Sequence, residues 1–178
     1  MNNAEVRQLL TKIAAGCDAS LAELYDQFAV RLYRLALAIT GRPTDAEDAV
    51  AEVFLVMTRR PASLAAVEQP AAYLATSVRN VVGRQIAKRE KDRTATEQLF
   101  TRQTEATLQT PTDERSEQLR QALGRLPESQ REIVALKIYA ELTFAEIAET
   151  LDISANTAAS RYRYALEKLR DLLAGEET

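Results

Sequence analysis

Hydrophobic residues from Ala4 to about Lys91 recur at steps of three and four positions, which is the spacing of amphipathic helices. The spacing is lost over a polar stretch rich in Thr and Gln, and it returns near Ser116. The pattern therefore predicts two helical halves joined by a linker. The predicted helices cover about residues 4–15, 20–39, 44–59 and 70–91 in the first half, and about 115–124, 128–140, 143–150 and 154–173 in the second.

Residues that favour helix ends mark several of these limits. Gly41 is suited to end the second helix, because glycine readily adopts the left-handed backbone found just after a helix. Thr44 is a candidate cap for the third helix, with Glu47 three residues later to complete a capping box. Pro61 is expected to stop that helix, and Pro70 falls in the first turn of the next, where proline is tolerated.

The composition agrees with an all-α fold. Only five Gly and five Pro occur in 178 residues, too few for a β-rich fold with many turns. We predict two small helical domains, residues 1–93 and 116–178, joined by a flexible linker over residues 94–115. Each half contains four predicted helices, which are enough to bury a workable core.

Several classes of protein are disfavoured by what the sequence lacks. No hydrophobic run approaches the roughly 18 residues of a membrane span, and the N-terminus lacks the pattern of a secretory signal. Cys17 is the single cysteine and there is no histidine, so neither an internal disulfide nor the usual zinc-ligand sets can form. We expect a cytoplasmic protein that needs no cofactor.

Charged residues are unevenly distributed, although the net charge is only −3. Basic residues concentrate in "GRQIAKREKDR" (83–93) and in "SRYRYALEKLR" (160–170), and acidic residues concentrate in "TDAEDAVAE" (44–52). Binding to nucleic acid depends on the local patch rather than on the total charge. The two basic segments are therefore candidate DNA-binding elements.

The stretch "LTFAEIAETLDISANTAASRYRYALEKL" (142–169) has the pattern of a helix-turn-helix. Thr143 and Glu146 form a capping box at the start of its first helix, and Ser154 caps the second. The second helix is expected to bury Ala158, Tyr162, Ala165, Leu166, Leu169 and Leu172. Its opposite face offers polar groups for base edges and cations for phosphates, namely Asn156, Thr157, Ser160, Arg163 and Tyr164, with Arg161 and Lys168 at the edges. A solvated helix within a helical bundle is the alternative.

The third predicted helix carries two stripes of different character. One stripe is apolar and is expected to be buried, with Val50, Val53, Phe54 and Met57. The other is an acidic row with a leucine among it, suited to a basic or mixed helical partner, with Asp45, Asp48, Glu52 and Leu55. A solvated acidic face is the alternative. Nothing in the sequence supplies a third ligand for a metal or a partner for acid–base catalysis, so we do not expect an enzyme.

Upstream of the helix-turn-helix, the sequence "LPESQREIVALKIYAELTFAEIAETLDIS" resembles domain 4 of bacterial sigma factors of the extracytoplasmic-function (ECF) group. The matching residues are Leu126, Pro127, Glu128, Gln130, Arg131, Leu142, Thr143, Glu146, Ile147, Ala148, Leu151, Ile153 and Ser154. The resemblance implies that the last helix binds the −35 promoter element. Asp152 stands where the family has a turn glycine, and Ala158-Ala159 stands where it has Val-Lys, which suggests weaker or altered −35 binding.

The first half resembles ECF sigma domain 2 through "LYDQFAVRLYRLALAITGRPTDAEDAVAEVFLVMTRR" and "AAYLATSVRNVVGRQIAKREK". The matching residues include Leu32, Tyr33, Ala36, Asp45, Ala46, Glu47, Asp48, Val50, Glu52, Phe54 and Leu55. The resemblance implies that the row of Asp45, Asp48, Glu52 and Leu55 binds the β′ clamp coiled coil of RNA polymerase. It further implies that the −10 element is bound by Arg79, Asn80, Arg84, Lys88 and Arg89, with "RRPASLAAVEQP" as a capturing loop that lacks an aromatic residue.

Both resemblances occur in the order found in the family, and together they cover nearly the whole chain. They identify a sigma factor that directs RNA polymerase to specific promoters and initiates transcription. The implied partners are core RNA polymerase, through its β′ clamp coiled coil and β flap, and promoter DNA. An anti-sigma factor is a further partner that the family resemblance leaves open. The alternative is a sigma-like helix-turn-helix regulator that binds DNA but does not engage the polymerase.

Overall fold

The computed structural model describes residues 3–96 and 114–174, and within these ranges every regular element is helical. The all-α fold class is thereby confirmed. A short 3₁₀-helix at Pro61–Ala66 follows the third α-helix. The α-helices are α1 (Asn3–Ala14), α2 (Asp18–Thr40), α3 (Pro43–Arg59), α4 (Pro70–Thr96), α5 (Glu114–Gly124), α6 (Glu128–Ile138), α7 (Phe144–Leu151) and α8 (Ala155–Ala174).

Helix ends in the first half follow the backbone preferences of glycine and proline. Gly41 ends α2 in the left-handed conformation at φ 67°, as predicted. The predicted capping box of Thr44 and Glu47 is wrong, because α3 begins one residue earlier at Pro43. Proline suits the first helical position, since its φ is already helical and its missing N–H loses no bond there. The limits predicted from Pro61 and Pro70 are confirmed, since α3 ends at Arg59 and α4 begins at Pro70.

Helices α1 to α4 pack around a core of branched aliphatic side chains. The apolar stripe predicted for α3 is confirmed, since all four of its members are buried. The 3₁₀-helix closes one side of this core against α1 and is anchored by Leu64, which is 1% exposed. The largest fully buried side chains of this half are Leu10, Leu24, Leu35, Met57, Leu64, Leu74, Val78 and Val82.

In the second half, α8 packs against both α6 and α7. The capping box of Thr143 and Glu146 at the start of α7 is confirmed, with a Thr143 N to Glu146 Oε2 distance of 2.7 Å. Ser154 Oγ accepts from the Thr157 N–H at 3.0 Å, which confirms the predicted cap of α8. The predicted burial of Leu166 is wrong: it lies at the edge of the apolar stripe and is 41% exposed.

The two halves pack directly against each other, α6 lying across α2 and α7 contacting α4. The buried side chains of the N-terminal half form one continuous apolar cluster with Ile133, Leu136, Leu142 and Ile147. A smaller second cluster lies between α5, α6 and α8. Of the predicted linker, residues 94–96 belong to α4 and 114–115 to α5, and the remainder lies outside the described residues. The domain limits themselves stay a prediction.

Candidate functional site

Three members of the predicted acidic row lie at the surface of α3. Asp48 is exposed, Leu55 is 47% exposed, and the side chain of Glu52 is 43% exposed. Their steps of three and four residues place them on one side of the helix. We call Asp48, Glu52 and Leu55 the α3 acidic face. An exposed leucine between two carboxylates offers both charge and apolar area to a protein partner.

Asp45, the fourth member of the predicted row, lies inside the domain instead. It is only 4% exposed, and the two terminal guanidinium nitrogens of Arg89 donate to its two carboxylate oxygens. Arg42 Nε lies 3.4 Å from the same carboxylate. In the first turn of α3 this side chain faces α4 rather than solvent. The structure therefore corrects the placement of Asp45: its carboxylate cross-links α3 and α4.

The predicted −10 residues all lie on α4, in two environments. Asn80, Arg84 and Lys88 are exposed and share one side of the helix, and we call them the α4 basic face. Arg79 is half-buried, and its Nε donates to Glu132 Oε1 of α6 at 2.6 Å. Arg89 is held by Asp45, and partial burial together with the nearby Arg42 lowers the pKa of its guanidinium. These two side chains are thus paired with carboxylates that are largely shielded from solvent, Glu132 at 17% and Asp45 at 5% side-chain exposure.

The α3 acidic face and the α4 basic face are neighbours on the surface. Arg84 Nη2 lies 2.7 Å from Glu52 Oε1, which joins the two faces through an exposed ion pair. Such a pair contributes only about 0–1 kcal/mol, so either partner can be recruited by a binding macromolecule at little cost. A protein partner on α3 and a polyanion on α4 can therefore lie side by side.

The segment predicted to be a capturing loop, "RRPASLAAVEQP", contains the 3₁₀-helix Pro61–Ala66. Leu64 is the buried side chain of that helix, and Val67 further along the segment packs against the same core. Tyr73 is half-buried against the core, and its carbonyl accepts from Ser77 Oγ at 2.8 Å. Tyr73 therefore packs inward against the core of the N-terminal half.

The predicted DNA-reading residues of α8 all lie outside its buried stripe of Ala158, Ala165 and Leu169. Asn156, Arg163, Tyr164 and Lys168 are exposed, whereas Thr157, Ser160 and Arg161 are half-buried. We call these seven residues the α8 recognition face. The guanidinium of Arg163 lies 5.2 Å from the centre of the Tyr164 ring, so these two exposed side chains support each other.

Two hydroxyls of the α8 recognition face already have partners in the helix. Thr157 Oγ1 lies 2.8 Å from Ser154 Oγ, and Ser160 Oγ donates to the Thr157 carbonyl at 3.0 Å. Hydroxyls retain acceptor capacity when they donate, so they can still receive a bond from a DNA base. The combination of amide, hydroxyl and cation on one helix is suited to the major groove.

Metal chemistry and membrane insertion find no support in residues 3–96 and 114–174. This part of the chain contains no group of three or more Cys, Asp or Glu side chains placed to hold a metal ion. None of its helices is both long enough and apolar enough to cross a membrane.

Sequence reasoning missed the side chains that join the two halves. Arg31 of α2 donates through Nε to the Tyr139 carbonyl at 3.1 Å, and its Nη2 lies 3.0 Å from Glu141 Oε2. Glu132 of α6 likewise forms an ion pair with Arg79 of α4. These partners lie 53 to 110 positions apart in the chain, so no local pattern points to them.

Comparison with protein families places these surfaces in two known regions. Residues 24–92 match the family Sigma-70 region 2, which covers α3 and most of α4. Residues 116–169 match the family Sigma-70, region 4, which includes the helix-turn-helix.

Individual relatives match over most of their length. The chain is 33% identical over 164 residues to the ECF RNA polymerase sigma factor SigL of Mycobacterium tuberculosis, covering 88% of this chain and 91% of the relative. It is 26% identical over 179 residues to the ECF RNA polymerase sigma factor SigK of Mycobacterium ulcerans, covering 95% and 94%.

Solved structures share the fold. The sigma factor RpoE in complex with the anti-sigma factor NepR, from Bartonella quintana, has a TM-score of 0.73 at 20% identity, covering 86% of this chain and 96% of that one. CnrH in complex with the cytosolic domain of CnrY has a TM-score of 0.64 at 21% identity, covering 95% and 97%.

Proposed function

The chain belongs to the ECF RNA polymerase sigma factors, which direct RNA polymerase to promoters, and we propose that its α3, α4 and α8 surfaces divide this task. The α3 acidic face binds core polymerase, the α4 basic face binds the −10 element, and the α8 recognition face binds the −35 element. The main support for the proposal comes from α8, the second helix of a complete helix-turn-helix. Its outer face is exposed and bears cations.

The α8 recognition face acts in the major groove. Asn156 at the N-terminal end is placed to reach a base edge, while Arg163 and Lys168 further along reach phosphates. Ala159 is half-buried and carries no cation, so a phosphate contact that lysine makes in the family is missing here. We therefore expect −35 binding that depends more heavily on the remaining cations.

The α4 basic face binds the −10 element. Arg84 and Lys88 are exposed cations one helical turn apart, a spacing that suits successive phosphates of a single strand. Asn80, exposed at the N-terminal side of the same face, is placed for a base contact. The absence of an aromatic from the segment before α4 points to base capture by hydrogen bonding rather than by stacking.

The α3 acidic face binds core polymerase through the β′ clamp coiled coil, with Leu55 as the apolar anchor and Asp48 and Glu52 as its charged flank. The β flap would be the partner of the C-terminal half. The ion pair between Glu52 and Arg84 supports this division, because it places the polymerase-binding and DNA-binding faces next to each other. Polymerase docking can therefore deliver α4 directly to the promoter.

An anti-sigma factor is a further proposed partner. RpoE was captured in complex with the anti-sigma factor NepR, and CnrH was captured in complex with the cytosolic domain of CnrY. A partner that covers the α3 acidic face would block polymerase docking, and one that bridges both halves would prevent them from reaching separate promoter elements.

Transcription in vitro tests the proposal. The full chain is combined with core RNA polymerase on a promoter library, and the transcripts are sequenced. Transcripts enriched for a shared pair of upstream elements support the proposal. Specific DNA binding by the chain alone, without association with core polymerase, would instead support a helix-turn-helix regulator that does not engage the polymerase.

A further inference from the structure

Among the residues that the structure describes, Arg31 and Arg79 form ion pairs and a hydrogen bond that join the halves of the protein at their polar edge. Arg31 of α2 contacts Glu141 and the Tyr139 carbonyl, while Arg79 of α4 contacts Glu132. In both ion pairs the cation comes from the N-terminal half and the carboxylate from the C-terminal half. We call this contact between the halves, formed by Arg31, Arg79, Glu132 and Glu141, the seam. It is basic on the side of the N-terminal half and acidic on the side of the C-terminal half.

The two pairs differ in their access to water. The Arg31 and Glu141 side chains are 33% and 71% exposed, so solvent screens that pair. Glu132 is only 17% exposed, and its carboxylate has Arg79 as an ion-pair partner at 2.6 Å. A carboxylate with that little water depends on its partner more strongly, so the Arg79–Glu132 pair is the stronger determinant of the closed arrangement.

Apolar burial supports the same arrangement. Ile133, Leu136 and Ile147 of the C-terminal half are fully buried within the apolar cluster of the N-terminal half. Separating the halves exposes part of this surface to water, which is unfavourable. The closed arrangement is therefore the resting one, and opening needs a compensating interaction.

The closed arrangement cannot span a promoter. The numbers of the −10 and −35 elements give a separation of about 25 base pairs. At about 3.4 Å per pair this is about 85 Å along B-form DNA. A compact chain of this length has a radius of gyration of about 16 Å, and so measures about 40 Å across. The α4 and α8 faces can reach both elements at once only when the seam has opened.

We propose that the seam competes with promoter DNA. The carboxylate of Glu132 binds the guanidinium of Arg79 at the place where a DNA phosphate would bind. This inference rests on the proposed role of Arg79 in −10 binding. In the closed state the α3 acidic face and the α8 recognition face stay exposed. Polymerase docking is thus compatible with closure, whereas full promoter engagement requires Arg79 to exchange Glu132 for DNA.

Distance measurements in solution test the seam directly. Spin labels on the exposed Cys17 in the N-terminal half and on an introduced Glu167→Cys in α8 report the separation of the halves. In the full chain we expect one short distance. The double change E132Q/E141Q removes both carboxylates with little change in shape and should populate longer distances. The control E149Q removes an exposed carboxylate of α7 that belongs to neither ion pair of the seam, and it should leave the distances unchanged.

Promoter binding by the reconstituted holoenzyme, measured on the unlabelled variants, completes the test. E132Q/E141Q should bind a complete promoter on the order of 3- to 10-fold more tightly than the wild type, because the two ion pairs no longer oppose opening. Longer distances together with tighter binding support the proposal. Unchanged distances, or longer distances with unchanged affinity, overturn it.

A third variant distinguishes the role of Arg79 in DNA binding from its role in the seam. R79A removes both the seam pair and the proposed DNA contact, so it should lengthen the distances and yet weaken binding to the −10 element. If R79A lengthens the distances and binds promoter as tightly as E132Q/E141Q, the proposed −10 role of Arg79 is wrong. The competition would then fail as well, although the seam itself would stand.

Discussion

Arg89 of α4 and Asp45 of α3 form a bidentate ion pair in which Asp45 is only 4% exposed. Asp45 therefore stabilises the packing of α3 on α4. We expect Asp45→Asn to lower the free energy of unfolding by about 1–3 kcal/mol, because it leaves Arg42 and Arg89 facing each other without a countercharge. Urea denaturation measures the change. Asp48→Asn, at an exposed position of the same helix, should stay within about 0.5 kcal/mol of the wild type.

Polymerase binding should depend on the exposed carboxylates of α3. The double reversal D48K/E52K is expected to weaken the pull-down of core RNA polymerase at least several-fold, since it replaces an acidic surface with a basic one. The double reversal E23K/D26K, at two exposed positions of α2, serves as the matched control. Equal retention of polymerase by D48K/E52K and the wild type would show that the docking surface lies elsewhere.

Promoter binding should show the ionic contribution of α8. Arg163→Ala removes an exposed cation and its contact with the Tyr164 ring. We expect weaker promoter binding by the holoenzyme and a salt dependence that falls by about one unit in the log–log slope, as for one lost phosphate contact. Arg34→Ala removes an exposed arginine of α2 and should leave the slope as it was. A slope unaltered by Arg163→Ala would rule out that phosphate contact.

The turn of the helix-turn-helix should tolerate glycine better than aspartate. Asp152 ends α7 with φ 53° and ψ 51°, a left-handed conformation that is unfavourable for a residue with a Cβ atom. We expect Asp152→Gly to stabilise the fold by about 0.5–1 kcal/mol. Thermal unfolding measures this, and Asp152→Ala should instead lower the midpoint. A lower midpoint for the glycine variant would mean that the aspartate side chain stabilises the turn.

The Cys17 thiol should react at lower pH than an ordinary cysteine. Ser20 Oγ donates to Cys17 Sγ at 3.3 Å, and this bond lowers the pKa of the thiol because it stabilises the thiolate. The pH profile of alkylation should therefore have its midpoint below that of a free thiol. Ser20→Ala removes the donor and should move the midpoint back upward. Identical midpoints for the two proteins would contradict this assignment.

Several features of the fold follow from local chemistry and were therefore predictable. Helix limits at Gly41 and Pro70 depend on backbone preferences of single residues. The capping box of Thr143 and Glu146 depends on groups three positions apart. The exposed side of α8 follows from the helical spacing of its apolar residues. In each case the interacting groups are neighbours in the chain, so the sequence alone contains the necessary information.

Other features depend on contacts between distant parts of the chain, and only the tertiary structure decided them. Asp45 fits the acidic row by spacing, but the packing of α4 on α3 brings Arg89 to it and buries it. Arg79 has the same character as the other cations of α4, yet the position of α6 gives it Glu132 as a partner. The periodicity of a helix determines which side a residue occupies. Which helix covers that side is determined by the whole set of packed surfaces, and here that packing distinguishes a cation available to DNA from one already paired.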